Sequence, residues 1–247
     1  MTRSTAIKRP PFLRFVAEHF RIWRDLSKSY SFYKNFTAPA KGDGHPVLVI
    51  PGFMASDRST NRLRHFVQKI GYQAYDWKLG RNYGNIRDVD TIAQQLLELN
   101  QKHQQTVSII GWSLGGVYAR QLAKNHPEQV RQVITLASPF NGINEPNNAV
   151  WLYRLIHRGE KVSDLDQAWI DDLPKPAPVP TTALYSKQDG IVPWEVCLEN
   201  VEDDLHQNVE VHSSHLGMGF DPAVWEIVAD RLQYDRNNWQ AYRPQTT

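Results

Sequence analysis

The chain has 247 residues, of which 41% are hydrophobic and 22% charged, and its formal net charge is +2. This length fits a single α/β domain with insertions, and the composition is ordinary for a soluble globular protein with a sizeable core. The apolar runs are too short to span a bilayer, and the lone cysteine, Cys197, excludes an internal disulfide framework.

The first forty residues are basic, with eight Lys and Arg residues against two acidic ones, whereas the rest of the chain is mildly acidic. Charged residues from Arg14 onward interrupt the apolar stretch that a secretory signal needs, so we expect a cytoplasmic protein. No nucleic-acid-binding motif accompanies the positive charge, so nucleic acid is not an expected partner. The asymmetry indicates that residues 1–45, a basic aromatic helical segment and a linker, have a surface or a task of their own.

Residues 12–36 place aromatic and aliphatic side chains at three- and four-residue spacing, which predicts an amphipathic helix. The simpler interpretation is that this helix packs on the body of the protein through its aromatic face. The alternative is peripheral attachment to the inner face of a membrane, with the rings inserted and the basic side chains at anionic headgroups. The stretch from Ala38 to Gly44 is typical of a linker.

From Pro46 onward, strand and helix patterns alternate. Apolar strands are predicted at 47–50, 72–77, 107–110, 133–136, 182–185 and 209–212, and helices at 58–70, 90–103, 114–125 and 222–232. This alternation predicts an α/β fold with a mostly parallel central sheet and helices on both faces, built from residues 46–140 and 181–235 and followed by a tail at 236–247. Ligands of such sheets bind beyond the carboxyl ends of the strands.

Residues 141–180 interrupt the alternation, because they separate two strands by far more than the usual short connection. They carry several aromatic residues, among them Trp151 and Trp169, and end in a proline-rich run from Pro174 to Pro180. We interpret the insertion as a small helical cap or lid over the carboxyl edge of the sheet. The alternative is a structural insertion with no role in substrate binding.

A serine flanked by glycines lies between a predicted buried strand and a predicted helix, in the sequence Gly111-Trp112-Ser113-Leu114-Gly115. A serine hydroxyl is a weak nucleophile, so the fold must present its Oγ sharply to a base and to the substrate. Small residues two positions before and after it keep the strand and the helix from clashing at such a tight turn. This context favours a nucleophile over a merely structural serine.

With this motif, the region from about Pro46 to Leu232 resembles the α/β-hydrolase superfamily, in particular its bacterial esterases and lipases. The resemblance rests on the serine turn, on the loop Pro51-Gly52-Phe53 after the first strand, and on a later Asp and His in the chain order that the superfamily uses. It implies the α/β-hydrolase fold and a Ser-His-Asp catalytic triad with Ser113 as the nucleophile.

The acid of that triad is expected at the end of a later strand. Residues 183–193 are very similar to the superfamily's acid loop, which implies that Asp189 holds the tautomer of the histidine and stabilises the imidazolium. Since Asp-Gly is also a common turn, a purely structural role for Asp189 is the alternative. Four aspartates within the insertion are weaker candidates: Asp164, Asp166, Asp171 and Asp172.

Nine histidines are available for the base. His215 follows the last predicted strand and precedes the last helix, which is where the superfamily places its catalytic histidine. His212 is the nearest rival, but the prediction puts it within the strand, where its side chain would point at a sheet face. His103 and His126 lie near helix ends, where histidine is favourable without a catalytic role.

The resemblance implies an oxyanion hole formed by the backbone N–H groups of Leu114 and Phe53. Pro51-Gly52 replaces the commoner His-Gly pair of the superfamily, which leaves open how that loop is supported. Three apolar residues are candidates to line the substrate pocket, although core packing explains them almost as well: Met54, Trp112 and Phe140.

No motif asks for a cofactor or a metal, since the chain has no phosphate loop, G-x-G-x-x-G, H-E-x-x-H or paired cysteines. The constellation predicts a hydrolase that cleaves small-molecule or lipid esters through an acyl-enzyme. Three alternatives stay open: an amidase or acyltransferase with the same triad, a binding protein without catalysis, and a peripheral membrane protein whose N-terminal helix is its main functional part. The oligomeric state is not predicted.

Overall fold

The computed structural model describes residues 7–37, 41–143, 145–148 and 167–244. Within these ranges, six parallel strands form one sheet in the order β2-β1-β3-β4-β5-β6. The strands are β1 Pro46–Ile50, β2 Gln73–Asp76, β3 Val107–Trp112, β4 Val130–Leu136, β5 Thr181–Tyr185 and β6 His206–Glu210. The sheet has the α/β-hydrolase arrangement that the sequence predicts.

The described helices flank this sheet. They are α1 Phe12–Asn35, α2 Asp57–Lys69, α3 Asp88–His103, α4 Leu114–Asn125, α5 Gln167–Asp172 and α6 Pro222–Arg231, and a short 3₁₀ turn covers Trp194–Cys197. None of the helices in the described ranges is long and apolar enough to cross a membrane.

The core lies on both faces of the sheet, which is why its central strands are apolar throughout. In β1, Val47 and Val49 belong to a cluster with residues of α2 and α6, whereas Leu48 and Ile50 belong to a cluster with residues of α3 and α4. This is the alternation of a strand with covered faces. All residues of β1 and β3 are buried, so the strand that precedes Ser113 is fixed on every side.

The α1 helix packs on the body, but only partly through its aromatic residues. Phe32 lies at its C-terminal end, with its ring centroid 6.2 Å from that of Phe66. Further along the contact face, the buried residues are polar: Glu18, Asp25 and Ser29. Phe20 and Trp23 are 75% and 73% exposed. The interpretation of docking through the aromatic face is therefore wrong for the middle of the helix.

The described parts of the predicted insertion are anchored to the core. Ala177 and Val179 are buried in the cluster that contains Leu48 and Ile50. The Arg120 side chain donates to the carbonyl oxygen of Lys175 over 2.8 Å. Residues 144 and 149–166 lie outside the described residues, and with them Trp151, Asp164 and Asp166, so the cap interpretation stays a prediction.

Candidate active site

Ser113 sits at the turn between β3 and α4. Its backbone has φ 52° and ψ −122°, a conformation that non-glycine residues rarely adopt and that is typical of strained functional turns. The Ser113 N–H donates to the carbonyl oxygen of Leu136 at 2.8 Å, which ties the turn to the neighbouring strand end. The turn thus presents the serine beyond the carboxyl edge of the sheet.

The two flanking glycines are required by close backbone approach. A Cβ on Gly111 would lie 2.3 Å from the Cα of Gly116, and a Cβ on Gly115 would lie 2.3 Å from the carbonyl oxygen of Ile50. Neither neighbour is the end of a flexible side chain, so only glycine fits at either position. The structure thus shows the close approach of strand and helix for which small residues were expected at these two positions.

His215 faces the serine from the loop that follows β6. Its Nε2 lies 3.0 Å from Ser113 Oγ, and its Nδ1 lies 2.6 Å from Asp189 Oδ2. The side chain is buried with its loop, and the backbone N–H of Val211 at the start of that loop donates to the carbonyl oxygen of Tyr185. The three predicted triad residues therefore form one hydrogen-bonded chain.

Asp189 is oriented by its own loop. Its Oδ1 accepts hydrogen bonds from the N–H groups of Ile191 at 2.7 Å and Val192 at 2.9 Å. This leaves Oδ2 for His215. The Asp-Gly turn and the acid are thus the same feature, because the turn supplies the donors that hold the carboxylate.

The surroundings of His215 set its protonation. Burial of the ring lowers the pKa, but the negative charge of Asp189, the hydrogen bond to it and the charge of Glu18 together outweigh that effect. The pKa of His215 is therefore raised above the ordinary value of 6.5. A raised pKa favours the imidazolium that forms when the ring takes the serine proton.

The other histidine and aspartate candidates lie elsewhere. Strand β6 ends at Glu210, so His212 belongs to the loop and not to the strand, contrary to the prediction. It is exposed, and its Nδ1 lies 3.4 Å from Nε2 of Gln188. Asp171 and Asp172 are on α5, where Asp172 pairs with Lys124 at 3.1 Å.

The residues expected to form the oxyanion hole lie on two sides of Ser113. Leu114 is the first residue of α4, where backbone N–H groups have no partner within the helix. On the other side, a Cβ on Gly52 would lie only 3.0 Å from the Cβ of Ser113, so glycine lets the Phe53 loop approach. The Met54 N–H is used within the loop, since it donates to the carbonyl oxygen of Asn82 at 2.7 Å.

Asn82 supports this loop and was not found from the sequence. It is fully buried, and its Nδ2 donates to the carbonyl oxygen of Pro51 at 2.9 Å. Its backbone N–H donates to the carbonyl oxygen of Ala55 at 2.8 Å, so it holds the loop at both ends. The residue follows β2 after a loop, and only its position beside another strand end hints at this role.

A cavity of about 380 Å³ opens over Ser113 and His215, within the range of about 300–1,000 Å³ that is usual for small-molecule sites. Met54 and Trp112 line it, as expected, together with several other apolar residues: Phe15, Ile22, Phe53, Ile191, Leu216 and Phe220. Phe140 does not line it. That residue is fully buried among Val117, Leu173 and Ala183, so its assignment to the pocket is corrected to core packing.

The wall formed by Phe15 and Ile22 belongs to α1, which the sequence treats as a separate segment. The apolar spacing of that helix was the only available signal, and it does not indicate which surface the helix covers.

In the described part of the chain, no group of three or more His, Cys, Asp or Glu side chains is arranged to hold a metal ion.

The comparisons with known proteins identify the family and the fold. The family model of palmitoyl protein thioesterase matches residues 46–177, more than half of the chain. The chain is also similar to the pimeloyl-[acyl-carrier protein] methyl ester esterase of Klebsiella pneumoniae, with 40% identity over 75 residues. That match covers 30% of this chain and 25% of the esterase, so the chain spans well under two thirds of the curated relatives that it matches.

Solved structures with the same fold include two lipases. Aspergillus fumigatus lipase B is 16% identical with a TM-score of 0.60, and the match covers 82% of this chain and 56% of the lipase. The mature form of the Bacillus licheniformis lipase BlEst2 is 17% identical with a TM-score of 0.59, covering 81% of this chain and 95% of that one. At this identity the likeness shows the α/β-hydrolase fold.

Proposed function

The chain belongs to the palmitoyl protein thioesterase family, and on that premise we propose that it is a serine hydrolase that cleaves carboxylic esters, thioesters included. The family match contains Ser113 and ends before Asp189 and His215. The assignment of the acid and the base therefore rests on the hydrogen-bonded geometry of the site.

One observation carries the proposal. Ser113 Oγ lies 3.0 Å from His215 Nε2, and His215 Nδ1 lies 2.6 Å from Asp189 Oδ2, and the serine and the histidine line an apolar cavity. A nucleophile, a base within hydrogen-bond reach and a group that orients the base are the parts that acyl transfer needs.

In the proposed reaction, Ser113 Oγ attacks the carbonyl carbon of the bound ester while His215 Nε2 takes the hydroxyl proton. Asp189 stabilises the imidazolium through Nδ1, and the N–H groups of Phe53 and Leu114 hold the oxyanion. His215 then gives the proton to the leaving alcohol or thiol, which leaves an acyl-serine. A water molecule, deprotonated by His215, attacks this ester, and His215 returns the proton to Ser113 Oγ as the acid is released.

The apolar cavity supports an apolar acyl group as the part of the substrate bound beside Ser113. The substrates in the names of related proteins, a palmitoyl thioester and a pimeloyl methyl ester, both present a carbonyl with an extended carbon chain. The same triad serves amide cleavage and transfer of the acyl group to another alcohol or thiol, so these reactions are the competing assignments.

Burst kinetics test the proposal. The purified chain is mixed with p-nitrophenyl esters of rising chain length and with the matching acyl thioesters, and the release of the leaving group is followed before the steady state. We expect a burst equal to the enzyme concentration, with kcat/KM rising with chain length up to the limit of the cavity. Turnover that needs an added alcohol or amine would replace hydrolysis with acyl transfer, and amides cleaved faster than esters would make the protein an amidase.

A further inference from the structure

The outer face of α1 is apolar and exposed. Eight large hydrophobic side chains are exposed in the described residues, and six of them belong to this helix: Phe12, Leu13, Val16, Phe20, Trp23 and Tyr30. From Leu13 to Trp23 they recur at three- and four-residue spacing, which places them on one side. Clustered exposed side chains of this kind mark an interaction surface.

The charge on the same helix has one sign wherever solvent reaches it. Its acidic residues, Glu18 and Asp25, are 0% and 1% exposed. Its exposed charged side chains are all cations: Arg14, Arg24, Lys28 and Lys34. Arg24 pairs with Asp25 at 2.9 Å and Arg14 donates to the carbonyl oxygen of Lys187, so Lys28 and Lys34 supply most of the attraction for anions. The outer surface of α1 therefore combines exposed aromatic side chains with positive charge, and it has no exposed carboxylate.

We propose that this face of α1, from Phe12 to Tyr30, docks on a bilayer that contains anionic phospholipid. Aromatic and aliphatic side chains on one side of a helix with Lys and Arg at its borders are the chemistry that binds the interface of such a membrane. Basic side chains near an anionic leaflet add attraction that salt weakens. The opposite side of the helix contributes Phe15 and Ile22 to the cavity over Ser113, so the docked helix would lie between the membrane and this wall of the cavity.

Vesicle sedimentation tests this proposal without any need for enzyme activity. Full-length protein is mixed with vesicles of phosphatidylcholine, with or without phosphatidylglycerol, at low and high salt. The wild type is expected to pellet with the anionic vesicles and to be released by salt. The double variant Phe20→Ala/Trp23→Ala should bind at least about tenfold more weakly, because it loses the apolar area that the two rings would bury in the membrane. Val201→Ala, a variant of an exposed hydrophobic residue outside α1, should bind like the wild type.

Three results would overturn the proposal. Equal pelleting of the wild type and the double variant would show that the face is not used. Equal binding to neutral and anionic vesicles would remove the role of charge. Concentration-dependent dimerisation measured by light scattering, lost in the double variant, would show that a second copy of the chain covers the face.

A different observation concerns the inner face of the same helix. The Glu18 carboxylate accepts hydrogen bonds from three backbone N–H groups of two loops. Its Oε1 accepts from Gly190 at 2.9 Å, next to the acid of the triad, and from His215 at 3.1 Å. Its Oε2 accepts from Leu216 at 2.9 Å.

Glycines in both loops allow this close approach. A Cβ on Gly190 would lie 2.5 Å from the carbonyl oxygen of Arg14, and a Cβ on Gly217 would lie 2.2 Å from Oδ2 of Asp25. The Asp189 loop and the His215 loop thus allow α1 to pack closely against both of them. A buried carboxylate is stable only where donors of this kind surround it.

We infer that Glu18 is a positioning residue, which holds the Asp189 loop and the His215 loop in register through their backbones. This inference rests on the proposed function. The charged groups that face His215 are Asp189 from its loop and Glu18 from α1, and Nη1 of Arg21 lies 3.9 Å from Oε1 of Glu18. Removing the Glu18 charge should therefore lower the pKa of His215.

The substitution Glu18→Gln tests the inference, with Asp25→Asn as the matched control. Asp25 is a buried carboxylate of the same helix whose Oδ2 accepts from Ser214 Oγ at 3.2 Å. We expect Glu18→Gln to reduce kcat/KM about tenfold or more and to move its acid limb to lower pH. Asp25→Asn should leave the acid limb of the kcat/KM profile at its wild-type pH. Glu18→Asp keeps the charge, so its acid limb should also lie near the wild-type pH.

The ring-proton titration of His215, followed by NMR, gives the same information without turnover. It separates failure of this inference from failure of the proposed function. A shift to lower pH in Glu18→Gln supports the inference even if no ester is cleaved. A thermal melting temperature lowered in Glu18→Gln with an unchanged titration and pH profile would reduce Glu18 to a structural residue and overturn it.

Discussion

The indole Nε1 of Trp112 donates a hydrogen bond to the carbonyl oxygen of His215 over 3.1 Å. The residue before the nucleophile thereby holds the loop of the base. The loop also packs closely against the indole, since a Cβ on Gly219 would lie 2.8 Å from Cζ3 of Trp112, and the ring of Phe220 lies edge-on to it with the centroids 5.9 Å apart. The spacing of Ser113 and His215 thus depends on a side chain that takes no part in the chemistry.

Replacing Trp112 by Phe should lower kcat/KM by up to about tenfold, because the lost hydrogen bond is worth on the order of 1 kcal/mol and no longer fixes the base loop. Trp77→Phe is the control, since Trp77 is also buried and its Nε1 donates to the carbonyl oxygen of Gly80 at 3.0 Å. Steady-state kinetics and thermal melts are compared. A similar loss of stability in both variants with a similar loss of activity would contradict the link to catalysis.

The pH dependence of kcat/KM should follow the ionisation of His215. The base works in its neutral form, and its pKa is raised above 6.5, so activity should fall tenfold per pH unit below an acid limb that lies above 6.5. The profile is measured with an ester whose leaving group does not titrate in that range. An acid limb below pH 6 would mean that burial outweighs the charges of Asp189 and Glu18.

The support of the oxyanion loop is tested at Asn82. Asn82→Ala removes the donor to the Pro51 carbonyl and should lower kcat about tenfold to a hundredfold, with a smaller change in KM, because a displaced Phe53 N–H weakens the transition state selectively. Asn208→Ala is the matched control, because the Asn208 side chain also binds a backbone by two hydrogen bonds. It accepts from the N–H of Glu199 and donates to the carbonyl oxygen of Glu199, in a loop away from the site. A loss confined to KM would place Asn82 in substrate binding instead.

The cavity wall from α1 gives a prediction on chain length. Ile22→Trp adds bulk to the cavity and should reduce kcat/KM for long acyl esters while sparing the acetyl ester, since only the long chain needs the filled space. The ratio of the two specificity constants is the readout. An equal loss for both esters would indicate that the substitution disturbs the triad, and no change would place the acyl chain elsewhere.

Much of the sheet could be predicted because its strands are apolar on both faces. Helix α4 begins at Leu114 and ends at Asn125 as predicted, where a glycine-rich turn and a polar end bound it. Strand β6 begins three residues and ends two residues before the predicted strand, because His206, Gln207 and Asn208 pair with β5 through their backbones at the edge of the sheet. Backbone pairing of polar residues leaves no apolar pattern to read.

The candidate site, too, could be predicted only in part. Ser113, Asp189 and His215 each follow a predicted strand, so the topology alone places them at one edge. The contacts of α1 could not be predicted, because Glu18 is bound to residues far along the chain by backbone donors that any sequence supplies. Phe140 was misplaced for the opposite reason, since an apolar ring near a strand end fits a pocket and a core equally well.

The identity of the nucleophile is tested most directly by labelling with a fluorophosphonate, followed by mass spectrometry of the modified peptide. The proposed reaction predicts a single adduct on Ser113, formed in the wild type, abolished in Ser113→Ala and strongly slowed in His215→Ala. Labelling of Ser113→Ala at the wild-type rate, or an adduct on another serine, would contradict it.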